Sequence, residues 1–286
     1  MSLLQRARHL LRLYNFLPKK RFGQNFAVNT DLLRRMISYA SITKDDVVLE
    51  VGAGLGFLTQ LLSRECKRVI TVEVDPRLIK ILRAQLYGLQ NVDLIKGDIL
   101  TLSVPSFNKV VSTPPYSISS PLLFWLLEKK FDCAVLTFQK EFAQRLTASV
   151  GSKEYGRLTV TTYYRGEVEL LDYVPRKMFY PPPDVDSMVV RLRPREPPFQ
   201  VENEETFLEL VQTLFTQRNK KVRNAILPFL HKRGIKGGNA LGLADSLPLH
   251  DKRVRELAPE DFGALANEIV RSPSFGFSKR SINAKA

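Results

Sequence analysis

"VVLEVGAGLGFLT", residues 47–59, carries an apolar run straight into Gly52, Gly54 and Gly56 with no spacer between them. Its aliphatic, mostly β-branched start predicts a strand over 47–51. Glycines placed there let the backbone turn tightly and come close to a ligand with no Cβ in the way. The spacing is GxGxG, one residue short of the dinucleotide fingerprint GxGxxG, and no Walker-type lysine follows. Taken alone, the stretch is equally well explained as a plain strand-to-helix turn, so its neighbours have to decide.

Downstream, short β-rich runs alternate with helical segments: VITVEV (69–74), VDLI (92–95), KVVS (109–112) and AVLTF (134–138). That alternation predicts an α/β domain with a parallel sheet flanked by helices. Three later runs, LTVTTYY (158–164), VELLDYV (168–174) and SMVVRL (187–192), are expected to extend the sheet as further strands. RPREPPF (193–199) is charged and proline-rich and reads as a linker. Beyond it the β signal stops. Phe207, Leu210, Val211, Leu214 and Phe215 fall at helical spacing, as do Val222, Ala225, Ile226, Phe229 and Leu230. Phe262, Leu265, Ala266, Ile269 and Val270 repeat it after Pro259, a first-turn proline. The expected organisation is a sheet domain over 1–193, with an N-terminal helical extension, and a small helical domain over 199–286 whose last stretch, SPSFGFSKRSINAKA (272–286), frays.

The 286 residues include 43 Lys and Arg against 29 Asp and Glu, a net charge of +14. Such an excess points to a polyanionic partner, because cations that neutralise phosphates release condensed counterions. Nucleic acid fits better than an anionic membrane. No apolar run approaches the roughly 18 residues needed to span a bilayer. The basic amphipathic start, MSLLQRARHLLRLYNFLPKKRF, has no continuous apolar core of a secretion signal. Cys66 and Cys133 lack CxxC partners and the three histidines, His9, His231 and His250, are scattered, so neither a disulfide framework nor a metal site is expected. A reducing cytoplasm suits this composition.

Two carboxylates sharpen the reading of the glycine turn. Glu73 ends the second strand about 20 residues on, where an acid accepts hydrogen bonds from a ribose. Asp98, in GDIL (97–100), follows the third strand and suits an adenine amino group, although an aspartate there often does no more than cap a helix. Three successive strand ends of this kind fit an adenosine-bearing cofactor at the carboxyl edge of the sheet. NAD and S-adenosylmethionine both qualify.

TPPY (113–116) follows the fourth strand. Pro114 and Pro115 fix φ and carry no N–H, so the loop is stiff and offers carbonyl acceptors, while Tyr116 offers a stacking face. An exocyclic adenine amine is a poor nucleophile. It is helped by acceptors that bind its N–H protons and by an aromatic surface that aims its lone pair. FYPPPDVDS (179–187) puts a second aromatic, Phe179, on another proline-stiffened loop, and a base held between Tyr116 and Phe179 would be gripped on both faces. TPPY resembles the [N/D/S]PPY loop of amino-methyltransferases, which selects S-adenosylmethionine over NAD.

Taken with KKRFGQNF (19–26), LEVGAGLGFLT (49–59), VEVD (72–75), FQKEFAQRL (138–146), YGRLTV (155–160) and QRNKKVRNAI (217–226), the chain resembles KsgA-type ribosomal RNA adenine N6,N6-dimethyltransferases from about Pro18 to Asn267. The resemblance implies a Rossmann-like class I methyltransferase domain followed by a helical rRNA-binding domain. It implies S-adenosylmethionine as cofactor, S-adenosylhomocysteine as product and no metal. Gln24, Asn25, Gly52, Gly54, Glu73, Asp98 and Thr113 would form the cofactor site, and Thr113, Pro114, Tyr116 and Phe179 the reacting site. The implied substrate is two adjacent adenines in a hairpin loop near the 3′ end of small-subunit rRNA, met by a cytoplasmic monomer on an immature ribosomal subunit. The competing readings are an assembly factor that binds the subunit with little methylation and a resistance methylase of large-subunit rRNA. One position departs from the pattern: Thr113 stands where the family usually has asparagine, whose amide oxygen reaches further than a hydroxyl. Arg218, Lys220, Lys221 and Arg223 form a basic cluster read as a phosphate contact, with Lys19, Lys20 and Arg21 extending it.

Overall fold

The computed structural model describes residues 1–19 and 23–272. They form two compact units: Met1–Ala143 with Glu167–Pro194, and Gln144–Gly166 with the chain from Arg195 onward. Lys20, Arg21 and the 273–286 stretch, which carry part of the expected basic track and most of the expected frayed end, lie outside the described residues.

The first unit runs α1 (Leu3–Leu13), β1 (Phe26–Ala27), α2 (Thr30–Tyr39), β2 (Val47–Val51), α3 (Phe57–Glu65), β3 (Arg68–Glu73), α4 (Pro76–Gln85), β4 (Val92–Lys96), β5 (Lys109–Ser112), α5 (Ser119–Leu127) and β6 (Cys133–Gln139). After α6 (Lys140–Leu146) and α7 (Arg157–Arg165) the chain returns as β7 (Gly166–Val174), β8 (Phe179–Tyr180) and β9 (Ser187–Pro194). Seven strands line up as β4-β3-β2-β5-β6-β9-β7. β2 to β6 pair in parallel and β9 runs antiparallel to β6. Val48, Leu49, Val69, Ile70, Val110 and Val135 are fully buried, as strands covered on both faces require.

Strand order reverses between β2 and β5, and such a switch point is where an open α/β sheet leaves a crevice at its carboxyl edge. Only Val48↔Lys109 and Leu49↔Val110 pair between these two strands. Past them the ladder opens, and the buried Ser112 hydroxyl bridges the gap, donating to Val51 O (2.5 Å) and accepting from Val51 N (3.2 Å). The glycine turn and the TPPY loop are thereby held at a fixed offset.

In the second unit α7 joins α8 (Glu204–Phe215), α9 (Val222–Ala225), α10 (Leu227–Lys232), α11 (Gly237–Ser246) and α12 (Pro259–Arg271). The run LTVTTYY, expected as a strand, is helical. Leu158, Thr159, Val160, Thr161, Thr162 and Tyr164 are all buried, and Tyr164 packs its ring on Phe199 and Phe207. Contacts on nearly every side override the strand preference of a β-branched sequence. Residues 144–166, assigned from sequence to the sheet domain, thus cluster with the helices. The periodic run from Val222 to Leu230 is broken at Ile226 into two short helices, with Pro228 in the first turn of the second. Among the described residues no helix is long and apolar enough to cross a membrane, and no group of His, Cys, Asp and Glu could hold a metal ion.

Candidate active site

A cavity of about 300 Å³ opens at the carboxyl ends of β2 and β3, with Thr113 and Pro115 entering it from the end of β5. Gly52 and Gly54 adopt left-handed φ of +80° and +56°. A Cβ at Gly54 would sit 2.9 Å from Phe26 Cδ1, and one at Gly52 would sit 3.1 Å from Pro115 Cδ. The turn is therefore wedged between β1 and the TPPY loop, and both positions need glycine for conformation and for space.

Glu73 closes one side, only 6 % exposed. Its Oε2 accepts from Gly54 N (3.1 Å) and its Oε1 from Val74 N and Asp75 N (both 3.0 Å). Burial raises its pKa against these three N–H donors. With Oε1 accepting two N–H groups and Oε2 one, Oε2 keeps an acceptor site, enough for a ribose hydroxyl. The next carboxylate, Asp75, caps α4 and accepts from the buried Gln24 amide (2.8 Å). Burial alone would raise its pKa, but the Arg77 side chain and backbone N–H, together with Gln24, hold it at about 2. Gln24 also accepts from Lys19 N (2.8 Å), so this one side chain straps the segment before β1 to the start of α4. Asn25 lines the same cavity.

Glu50, which the sequence reading passed over, also lines the cavity and is 2 % exposed. Its Oε2 accepts from Thr59 (2.6 Å) and Thr71 (2.8 Å) hydroxyls. Burial pushes its carboxyl up to about 7 despite those bonds, with the nearby Glu73 adding to the rise. The signal was available in VVLEV, where one acid interrupts a strand that is otherwise wholly apolar.

At the other end, Tyr116 is half-buried and its hydroxyl shares a 2.5 Å hydrogen bond with the buried Ser187 hydroxyl. Its ring meets Phe179 at 6.5 Å between centroids and 74° between planes. The two rings expected to hold a base between them are brought together, edge to face. The reason is burial. Phe179 is 3 % exposed in the core of this unit and sits on β8, paired with Ala27 of β1. Asp186, one residue before Ser187, accepts from Arg176 N (2.8 Å) and Tyr173 OH (2.6 Å). One dipeptide, Asp186-Ser187, thus braces both the loop that delivers Phe179 and the ring of Tyr116, a role that nothing in the sequence pattern announced.

Other expected positions fall elsewhere. Asp98 is exposed, does not line the cavity and accepts from Leu100 N (3.0 Å) within a turn, with no helix following it to cap. Pro114 is buried behind Thr113 and Pro115. In the helical unit Arg218 donates to the carbonyls of Ser152 (2.7 Å) and Lys153 (2.8 Å). Lys221 pairs with Asp251 at 2.8 Å, and Arg223 lies 3.8 Å from Asp251 and 3.9 Å from Asp245. Much of that cluster's charge is matched inside the protein. Arg191 likewise pairs with Glu169.

Residues 15–260 match the profile of a family described as ribosomal RNA adenine dimethylase. A protein of Methanosarcina acetivorans named probable ribosomal RNA small subunit methyltransferase A is 42 % identical over 264 residues, covering 92 % of this chain and 97 % of the relative. A Pyrococcus abyssi protein of the same name is 43 % identical over 253 residues, covering 88 % and 92 %. Among solved structures, a dimethyladenosine transferase from Plasmodium falciparum superposes with a TM-score of 0.74 at 32 % identity, covering 85 % of this chain and 97 % of that one. The 23S rRNA methyltransferase ErmE gives 0.65, also at 32 % identity, covering 86 % and 100 %.

Proposed function

The chain belongs to the ribosomal RNA adenine dimethylase family and is an S-adenosylmethionine-dependent rRNA methyltransferase, and from that premise we propose that it methylates the N6 amines of two adjacent adenines in a hairpin loop near the 3′ end of small-subunit rRNA, during subunit biogenesis. The observation that carries the reading is that Thr113 and Pro115 line the same cavity as Gly52, Gly54 and Glu73. Acceptor loop and cofactor cradle thus meet in one space.

Glycines held at left-handed φ would let the main chain approach the cofactor, and Glu73 Oε2 would accept from a ribose hydroxyl. Asn25 and the Gln24 strap would help close the pocket. When bound, S-adenosylmethionine supplies an electrophilic methyl on a sulfonium. The two X-Pro peptide units, Thr113-Pro114 and Pro114-Pro115, present carbonyls with no N–H of their own, and Thr113 adds a hydroxyl. These acceptors would take hydrogen bonds from the amine's N–H groups and aim its lone pair toward the methyl. Tyr116, steadied by Ser187, supports the adenine ring, and the base enters by displacing the edge contact between Tyr116 and Phe179. The small-subunit assignment draws on the names of the archaeal relatives, and the basic helical unit suits a phosphate-rich partner.

The test is mass spectrometry of small-subunit rRNA from unmethylated particles after incubation with the protein and S-adenosylmethionine. Two neighbouring adenines that each gain two methyls are the expected product. Stable particle binding with no mass gain would replace the reading with an assembly-factor role, and methylation of large-subunit rRNA alone would overturn the site.

A further inference from the structure

A second cavity in the sheet unit, about 420 Å³, lies between α1, the turn that follows it, and Tyr180-Pro181. Its base is apolar, formed by the buried Leu11 and Phe16. Arg8, Arg12 and Asn15 stand around it, and among the described residues no carboxylate lines it.

Three features give this groove a ligand chemistry. Arg8 and Arg12 are one helical turn apart on α1, a like-charge i,i+4 pair that is unfavourable by itself. Among the described residues neither guanidinium is paired with a carboxylate, whereas Arg35, Arg77 and Arg191 of the same unit are paired with Asp172, Asp75 and Glu169. An external anion would relieve that repulsion. The Arg8 guanidinium also lies over the Tyr180 ring, 5.3 Å from its centroid, so charge and an aromatic face stand at one spot. Finally, Tyr180 directly follows Phe179 on β8, and successive strand residues point to opposite faces. The ribbon that carries Phe179 toward Tyr116 carries Tyr180 toward α1. The cationic surface continues past the end of α1, where Tyr14, the neighbour of Asn15, borders a hollow with Lys80, Arg83 and Lys96.

We propose that this groove binds one nucleotide of the substrate RNA outside the methylated pair, its phosphate between Arg8 and Arg12 and its base against Tyr180. The inference rests on the reading above that the substrate is RNA. It assigns the sheet unit its own hold on the strand, independent of the basic cluster in the helices.

The experiment measures binding of the full chain to a labelled single-stranded RNA oligonucleotide, and to an abasic strand of the same length, across a salt series. R8E/R12E should weaken binding to both strands and reduce the salt slope by about 0.7, the value for one neutralised phosphate on a single strand. R8Q/R12Q should do the same with less added repulsion and serves if the first variant folds poorly. Y180L should bind the base-bearing strand about tenfold less tightly and the abasic strand as the parent does, with Y180F restoring the difference. Parental affinity and salt slope in both arginine variants would overturn the proposal, and equal losses on both strands in Y180L would overturn its stacking half. A parent that binds RNA without transferring methyl would count against the proposed function and leave this groove standing, so the two failures are distinguishable.

Discussion

Around the glycine turn, main-chain geometry leaves a lined cavity; around Tyr116, side chains fill the space themselves. The donor end is framed by left-handed glycines, by Glu73 fixed through three backbone N–H groups, and by Gln24 strapped to Asp75. The acceptor end is two rings packed edge to face, with one of them part of the core. On the proposed function the cofactor would meet a site already shaped for it, while the base would have to change what it meets. Preorganisation lowers the ordering cost for the first ligand, and the second has to draw a displaced arrangement out of the packed one.

The largest expected effect comes from treating the two aromatics alike. Phe179→Ala removes a buried core ring and should cost about 3–5 kcal/mol of unfolding free energy, read by denaturant titration. Tyr116→Ala, at a half-buried position, should cost much less stability while depressing methyl transfer severely. If Phe179→Ala unfolded as the parent does, the ring would not be held by the core and the contrast between the ends would fail.

Glu50 tests the donor end from inside. With its carboxyl raised from the usual 4.5 to about 7, the folded protein keeps a proton that the unfolded chain releases between those values. Stability should therefore fall as pH rises through that window, by about 3 kcal/mol in all. Glu50→Gln should abolish that slope and be the more stable protein above pH 7. A parent whose stability is flat or rising from pH 5 to 7 would show that Glu50 ionises normally.

Gly54→Ala places a Cβ 2.9 Å from Phe26 at φ +56°. The left-handed backbone alone costs roughly 1–2 kcal/mol, and with the contact added, affinity for S-adenosylmethionine should drop at least about thirtyfold by calorimetry. Parental affinity would mean that the turn has slack, and that the donor end is no more rigid than the acceptor end.

Most of the donor end was legible in the sequence, because its parts are backbone devices with local signatures: a glycine triplet after an apolar strand, an acid about 20 residues on, prolines that fix a loop. Strands β2 to β6 followed from the same alternation. What escaped depends on contacts distant in sequence. LTVTTYY has the composition of a strand and becomes a helix because Phe199 and Phe207 pack on it. Asp98 met a local spacing rule and does not line the cavity. The Tyr116–Ser187 bond joins residues 71 apart, and no periodicity encodes that.

Ser187→Ala probes the brace on the acceptor side. Removing a partner from the Tyr116 hydroxyl is worth about 1 kcal/mol, so kcat should fall about fivefold with cofactor affinity unchanged. A loss of cofactor affinity of equal size would show that the two ends are coupled through the TPPY loop.

The smallest expected effect lies where the ends meet, at Thr113. Its hydroxyl hangs on a short stem beside Pro115 in the cavity wall, whereas the asparagine of the resembling family would carry an amide oxygen one bond further out. On the proposed mechanism the neighbouring X-Pro carbonyls would accept from the amine, so the side chain would add to their work without replacing it. Thr113→Asn should therefore raise kcat only about two- to threefold, near 0.5 kcal/mol at RT of about 0.6, and leave cofactor affinity as it was. An unchanged or lower kcat would place the whole burden on the two carbonyls, and the acceptor end would then resemble the donor end after all, as a site built from main chain.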